Sequence, residues 1–154
     1  MYDIAIIGGG VIGCALAREL SRYKASLVVL EKEDDVCSGS SKANSGIAHA
    51  GFDAKPGTNK ARFNVLGSKM MKDYCEELGV KYKNDGSLVV AFSDEDLKTL
   101  ETLKKRGENN GVDRLEIISA EELKKIEPNV SGNAKGALYA KGGGIICPYE
   151  LTIA

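Results

Sequence analysis

Asp3-Ile-Ala-Ile-Ile-Gly8-Gly-Gly10-Val-Ile-Gly13 stands at the head of the chain and decides how the rest is read. Ile4 to Ile7 is an apolar run suited to a parallel strand covered on both faces. After the glycine-rich turn, Cys14 to Tyr23 takes helical spacing, with Ile12, Leu16 and Leu20 on one side. Gly8 permits the tight bend off the strand, Gly10 lets backbone approach a pyrophosphate, and Gly13 lets the helix pack close to the sheet. Val11 and Ile12 open the helix, whose N-terminus presents unpaired N–H groups and the positive end of its dipole to phosphates. Leu27-Val-Val-Leu30 is a second buried strand that ends in Glu31. Glu31 lies close to the roughly 20 positions past the turn where an acid takes the ribose hydroxyls. No arginine stands there for a 2′-phosphate; Lys32 follows the acid and does not replace it. The spacing predicts a dinucleotide-binding βαβ unit on a parallel sheet.

The chain's 154 residues suffice for one ordinary domain with a core. Hydrophobic content of 43% and charged content of 28% are those of a soluble globular protein. With 21 basic and 22 acidic residues, no net field recruits nucleic acid or an anionic membrane. Aromatic content of 6% with no Trp speaks against a base-stacking surface. No apolar run reaches the roughly 18 residues of a membrane span, and no basic leader precedes the first strand. Cys14, Cys37, Cys75 and Cys147 are widely spaced, which suits reduced cysteines of a cytoplasmic protein better than a disulfide framework or a metal site.

Glu33 to Ser45 is polar and aperiodic: a long loop, of the kind that is more often functional than accidental. Asn59 to Leu78 reads as a helix with an apolar stripe of Ala61, Val65, Leu66, Met70, Tyr74 and Leu78, closed by Gly79. Asn84-Asp-Gly-Ser87 between Tyr82 and Leu88-Val-Val-Ala-Phe92 suggests a hairpin turn. Ser93, followed by Asp94-Glu-Asp96, caps a helix running to about Asn110. Leu115 to Ile118 is a short strand, and Ser119-Ala-Glu-Glu122 is a capping box whose helix ends before Pro128. Ala137 to Cys147 is extended around Gly142-Gly-Gly144, and Pro148 starts a last helix. Two parallel strands where a binding half has three, and a helix barely begun, lead us to expect the front part of a longer protein.

The second constellation is Ser38-Gly-Ser40-Ser-Lys-Ala-Asn44-Ser-Gly46-Ile-Ala-His49-Ala-Gly51, which carries the only histidine of the chain. On its own such a run is a plain surface loop as readily as a bed of small residues and free N–H groups for phosphates and a flat ring. Taken with the glycine turn and Glu31-Lys32, it resembles the D-amino-acid-oxidase-type FAD-dependent oxidoreductases. Within them it is most similar to anaerobic-type glycerol-3-phosphate dehydrogenases and to L-2-hydroxyglutarate dehydrogenases. Lys55-Pro-Gly-Thr-Asn-Lys-Ala61, Asn84-Asp-Gly-Ser-Leu88 and Gly143-Gly-Ile-Ile-Cys-Pro148 extend the resemblance along the whole chain.

The resemblance implies an α/β fold: a Rossmann-like FAD-binding domain interleaved with an antiparallel α+β substrate domain. Residues 1–78 would belong to the first, 79–136 would begin the second, and 137–154 would return toward the first. Gly8, Gly10, Val11, Ile12, Gly13, Glu31 and Lys32 would then hold the ADP half of a non-covalent FAD. Ser40, Ser41, Asn44, Ser45 and Gly46 would lie along the pyrophosphate, ribityl chain and flavin. His49 would approach the flavin on the substrate side, as a base, as a hydrogen-bonding tuner or as an attachment point. Lys55 and Lys60 read either as a solvated helix start or as groups meeting an anionic hydroxy substrate. Implied activities are oxidation of glycerol 3-phosphate to dihydroxyacetone phosphate or of L-2-hydroxyglutarate, with electrons passing to a quinone or to partner subunits. The implied location is the cytoplasm or the inner face of a membrane. A chain of this length could also be a non-catalytic FAD-binding fragment. The first 31 residues alone would permit NAD, but the Ser/Asn/His loop would then have no task.

Overall fold

The computed structural model describes residues 1–154. In chain order its elements are β1 (Ile4–Ile7), α1 (Val11–Leu20), β2 (Leu27–Leu30), β3 (Ile47–Ala48), α2 (Asn59–Leu78), β4 (Tyr82–Lys83), β5 (Ser87–Ala91), α3 (Asp94–Asn109), β6 (Leu115–Ser119), α4 (Ala120–Ile126), β7 (Gly136–Ala140), β8 (Gly144–Ile146) and α5 (Pro148–Ile153). They form two compact units: Met1–Ile47 with Cys75–Lys81 and Ile146–Ala154, and Ala48–Tyr74 with Tyr82–Ile145. These boundaries differ from the expected 1–78, 79–136 and 137–154, because most of α2 groups with the second unit.

In the first unit β1 and β2 pair in parallel, with Ile4 opposite Leu27 and Ile7 opposite Leu30, and α1 is the crossover between them. Asp3 fixes the start of the pair: its Oδ2 accepts hydrogen bonds from the Ser26 N–H at 2.8 Å and the Ser26 hydroxyl at 2.7 Å. The expectation that β1 is covered on both faces fails. Only Ile6 of β1 is buried, while Ile7 is 89% exposed and Leu30 of β2 is also exposed. The Ile12–Leu16 side of α1 is likewise open, with Ile12 81% exposed, and the buried residue of this helix is Gly13. The reason is geometric: a two-stranded sheet keeps free edges, and one helix covers only one of its faces.

The second unit is built on an antiparallel sheet in the order β5-β7-β6. Leu138 of the central strand sits opposite Val89 on one side and Ile117 on the other. Central placement explains why Ala137, Leu138 and Ala140 are fully buried. Leu138 joins Phe52, Val65, Leu100, Val112 and Leu115 in the main core, and truncating a leucine so placed costs about 2–5 kcal/mol. The expected cap at Ser93 and capping box at Ser119 both form, and Ser93 makes a capping box as well. Ser93 Oγ accepts from the Asp96 N–H, Ser119 Oγ accepts from the Glu122 N–H, and each acid reaches back to its cap's N–H.

Two local expectations need correction. Tyr82 to Phe92 is not a hairpin: β4 and β5 belong to different sheets, and β5 pairs with β7. The Asn84–Gly86 turn instead docks on a distant loop, with Asn84 Nδ2 donating to the carbonyls of Lys141 and Gly143 and the Gly86 N–H donating to Gly143. The stripe of α2 is also rotated. Ala61, Val65 and Cys75 are buried, whereas Leu66 and Met70 are exposed. The apolar residues of this helix spread over more than one face, so hydrophobicity alone did not select the inward one.

Candidate cofactor site

The site of the first unit begins where β1 ends. Gly8 turns at φ +104°, a conformation that strains any side-chain-bearing residue, and its N–H still donates to Leu30 at 2.8 Å. A Cβ on Gly13 would run into the Gly8 carbonyl oxygen, so α1 starts flush against the turn only because position 13 is glycine. Helix α1 opens at Gly10 without a side-chain cap and with no acid in its first turn. Its first N–H, on Val11, donates to Ser41 Oγ at 2.9 Å. A Cβ on Gly10 would lie 3.0 Å from the same oxygen, so this glycine is a close approach between turn and loop.

Glu31 completes the rim. Its Oε2 accepts the Gly9 N–H at 2.6 Å, and its Oε1 accepts the N–H groups of Lys32 at 2.8 Å and Glu33 at 3.1 Å. These bonds to the charged form, the one from Gly9 foremost, hold the carboxyl below its ordinary value, so Glu31 is an anionic acceptor at neutral pH. Cys14 behaves in the opposite way. Burial first, then the neighbouring Cys37 and Glu31, push its thiol up, so no thiolate opposes an anion at the helix start. Lys32 is exposed and its Nζ pairs with Glu33 at 3.1 Å.

Residues 33–45 form the irregular loop that composition indicated. It is pinned to the turn by the Cys37 N–H, which donates to Gly9 at 2.9 Å. It is also pinned internally by Asn44, whose Nδ2 donates to the Ser41 carbonyl at 2.6 Å and whose Oδ1 accepts the Gly46 N–H at 2.8 Å. Turn and loop enclose two adjoining cavities. One, of about 520 Å³, is lined by Gly8, Gly10, Glu31, Lys32, Ser40 and Ser41 together with Ile7 and Leu30. The other, of about 710 Å³, is lined by Gly8, Gly10, Val11, Ile12, Gly13, Ser40, Ser41 and Asn44 along β1. Ten of the sequence-selected positions therefore converge, and the exposed Ile7, Ile12 and Leu30 are cavity walls.

Ser45 and Gly46 line neither cavity. Gly46 is buried at φ +65°, its carbonyl accepts the Ile146 N–H, and a Cβ there would strike the Ile146 carbonyl oxygen, so it serves the chain's own packing. His49 belongs to the second unit, where it is exposed and lines a cavity of about 180 Å³ with Phe52, Asp53, Lys60 and Asn64. Lys55 does not line that cavity. Sequence reasoning passed over Gly9 and Cys37. Gly9 occupies a free position of the glycine pattern, and nothing in the sequence marks Cys37, which is buried and adopts φ +61°.

A helix N-terminus with no acid in its first turn and no cap from its own N-cap residue, a glycine turn flush against it and an ionised acid at the end of β2 define a dinucleotide-binding βαβ protein. The chain belongs to the FAD dependent oxidoreductase family, DAO, whose model matches residues 3–154. It is 54% identical over its whole length to glycerol 3-phosphate dehydrogenase of Caloramator mitchellensis, covering 32% of that protein. To the mitochondrial L-2-hydroxyglutarate dehydrogenase of Dictyostelium discoideum it is 42% identical over 99% of the chain, covering 34% of that protein. Among solved structures, the FAD-bound L-alpha-glycerophosphate oxidase of Mycoplasma pneumoniae superposes with a TM-score of 0.93 at 37% identity, over 99% of this chain and 40% of that one. The chain thus spans about a third of the length of the curated relatives it matches. No helix is long and apolar enough to cross a membrane.

Proposed function

We propose that this chain is the FAD-holding portion of a dehydrogenase that oxidises glycerol 3-phosphate to dihydroxyacetone phosphate. The observation that carries this reading is the 54% identity to a glycerol 3-phosphate dehydrogenase along the entire chain. The Gly8–Gly13 turn and the N–H groups opening α1 bind the pyrophosphate, and Glu31, flanked by Lys32, accepts the ribose hydroxyls. Ser40, Ser41 and Asn44 run along the pyrophosphate, ribityl chain and flavin, and Gly46, whose carbonyl accepts the Ile146 N–H, anchors the end of that loop. FAD, when bound, would supply the two-electron, hydride-accepting chemistry for oxidation of the carbinol carbon. His49 takes the proton of the substrate hydroxyl as its C–O bond becomes a carbonyl, so hydride and proton are both accounted for. Attachment of the cofactor is non-covalent. The first unit is the cofactor-binding part and the second begins the substrate-facing part. Electrons leave to a quinone or to partner subunits, with the protein in the cytoplasm or at the inner face of the membrane.

A second reading, L-2-hydroxyglutarate as substrate, is favoured by the 42% identity to a dehydrogenase of that name. The full-length protein should be assayed with each substrate and an artificial electron acceptor. Turnover of glycerol 3-phosphate with a clear preference in kcat/KM supports the first reading. Preference for L-2-hydroxyglutarate replaces it with the second, and turnover of neither overturns both.

A further inference from the structure

A cavity of about 250 Å³ in the second unit lies between α2 and the loop after α3, and its charged lining residues Lys69, Lys72, Asp113 and Arg114 have no part in the reading above. One face of α2 contributes Val65, Ser68, Lys69 and Lys72, at i, i+3, i+4 and i+7. That spacing ordinarily carries apolar residues toward a core, yet here a buried valine is followed by a hydroxyl and two ammonium groups. Ala50, Val65 and Val112 make a buried apolar floor. Ser68 Oγ donates to the Gly142 carbonyl at 3.1 Å and ties this face of α2 to the loop that closes one side.

The far rim is the loop after α3. Gly111 turns at φ +78°, Val112 plugs into the core, and Asp113 and Arg114 are left on the surface. Arg114 sits at φ +57°, a left-handed conformation that a residue with a long side chain rarely adopts and that is strained there. The only acid of the lining, Asp113, pairs with Lys69 at 2.8 Å. Three cations and one carboxylate leave the cavity net positive. Its volume falls below the roughly 300 Å³ at which drug-sized pockets begin, so its occupant is small.

We propose that this cavity binds a small oxyanion of the phosphate class, held by Lys69, Lys72 and Arg114, with Asp113 as an internal competitor for Lys69. The chemistry is shared by a free phosphomonoester, inorganic phosphate and a phosphatidate headgroup. The test uses the full-length protein with its cofactor, titrated with inorganic phosphate by calorimetry at constant ionic strength. Lys69→Gln and Arg114→Gly should each weaken binding roughly fivefold, the upper range for an exposed charge pair. Arg114→Gly also relieves the left-handed strain, so misfolding does not explain its effect. Asp113→Asn should tighten binding by a similar factor, a gain that no unfolding produces. Phosphate captured in a substrate site would ignore all three changes, so the KM for the substrate is measured in parallel and should not move. Phosphatidylcholine vesicles with and without phosphatidic acid separate the sources: sedimentation that follows the same order of variants assigns a lipid headgroup, and its absence assigns a free solute. No saturable phosphate binding, binding indifferent to the three substitutions, or weaker binding in Asp113→Asn would overturn the proposal.

Discussion

Replacing Gly13 by Ala tests the geometry of the glycine turn with a single methyl group. The added Cβ would run into the Gly8 carbonyl oxygen, and would lie 3.2 Å from the Gly8 carbonyl carbon and 3.5 Å from Ile6 Cγ2. The obstructing atom is backbone in a turn already held at positive φ, so it cannot swing aside as a flexible side chain would. Overpacking of this kind costs about 1–3 kcal/mol, and the better helix propensity of alanine returns up to about 1 kcal/mol. A backbone obstruction belongs to the upper part of that range, about 2–3 kcal/mol, so the net loss is about 1–2 kcal/mol and lowers Tm by about 2–8 °C for a domain of this size. Gly67→Ala is the matched control: it lies within α2, and a Cβ there meets nothing within 4 Å. That variant gains up to about 1 kcal/mol from propensity alone. Thermal unfolding followed by circular dichroism should therefore move the two variants in opposite directions. A Gly13→Ala protein as stable as the parent, or stabilised like Gly67→Ala, would refute the close-approach argument.

Ser93→Ala removes the acceptor of the Asp96 N–H and half of a capping box, and should lower stability by about 1 kcal/mol, seen as a lower urea midpoint with unchanged slope. Asp3, Glu31, Asp96, Asp113 and Glu122 are all held below ordinary carboxylate values, chiefly by hydrogen bonds to the ionised form. Their contribution is complete above the unfolded carboxylate range near ~4 and is lost as pH falls through the lowered folded values. Urea midpoints taken from neutral pH downward should thus decline in that acidic window; a flat profile there would contradict the assignment. His49→Gln in the full-length protein should lower kcat by about 10²–10⁴-fold while FAD content stays unchanged, if this residue takes the substrate proton.

Much of this structure was legible because local chemistry dictates it. The ends of α2 follow from the helical run and the closing glycine, and those of α3 and α4 follow from Ser93 and Ser119 with acids placed three residues on. That the glycine turn, Glu31 and the small-residue loop come together around shared cavities was legible for a different reason: they are constraints of backbone approach, which composition records directly. What escaped depended on long-range pairing. Asn84-Asp-Gly-Ser87 has the composition of a hairpin turn, yet the partner of β5 is β7, roughly fifty residues away, and no local signal names it. The face of α2 was misjudged because its apolar residues spread over more than one face, so Cys75 is buried while Leu66 and Met70 are exposed. The exposed Ile7 was read as a residue of a covered strand because an apolar side chain does not reveal whether protein or ligand will cover it.

The central claim is that the turn, Glu31 and the loop to Asn44 hold FAD. The most direct measurement is flavin absorbance of the purified full-length protein, native and then denatured, with the intact mass of the released chain. The account predicts a yellow protein that releases free FAD and a chain of unmodified mass, with flavin content reduced in Gly13→Ala. A colourless protein, a nicotinamide dinucleotide in place of flavin, or flavin that stays attached to the denatured chain would contradict it.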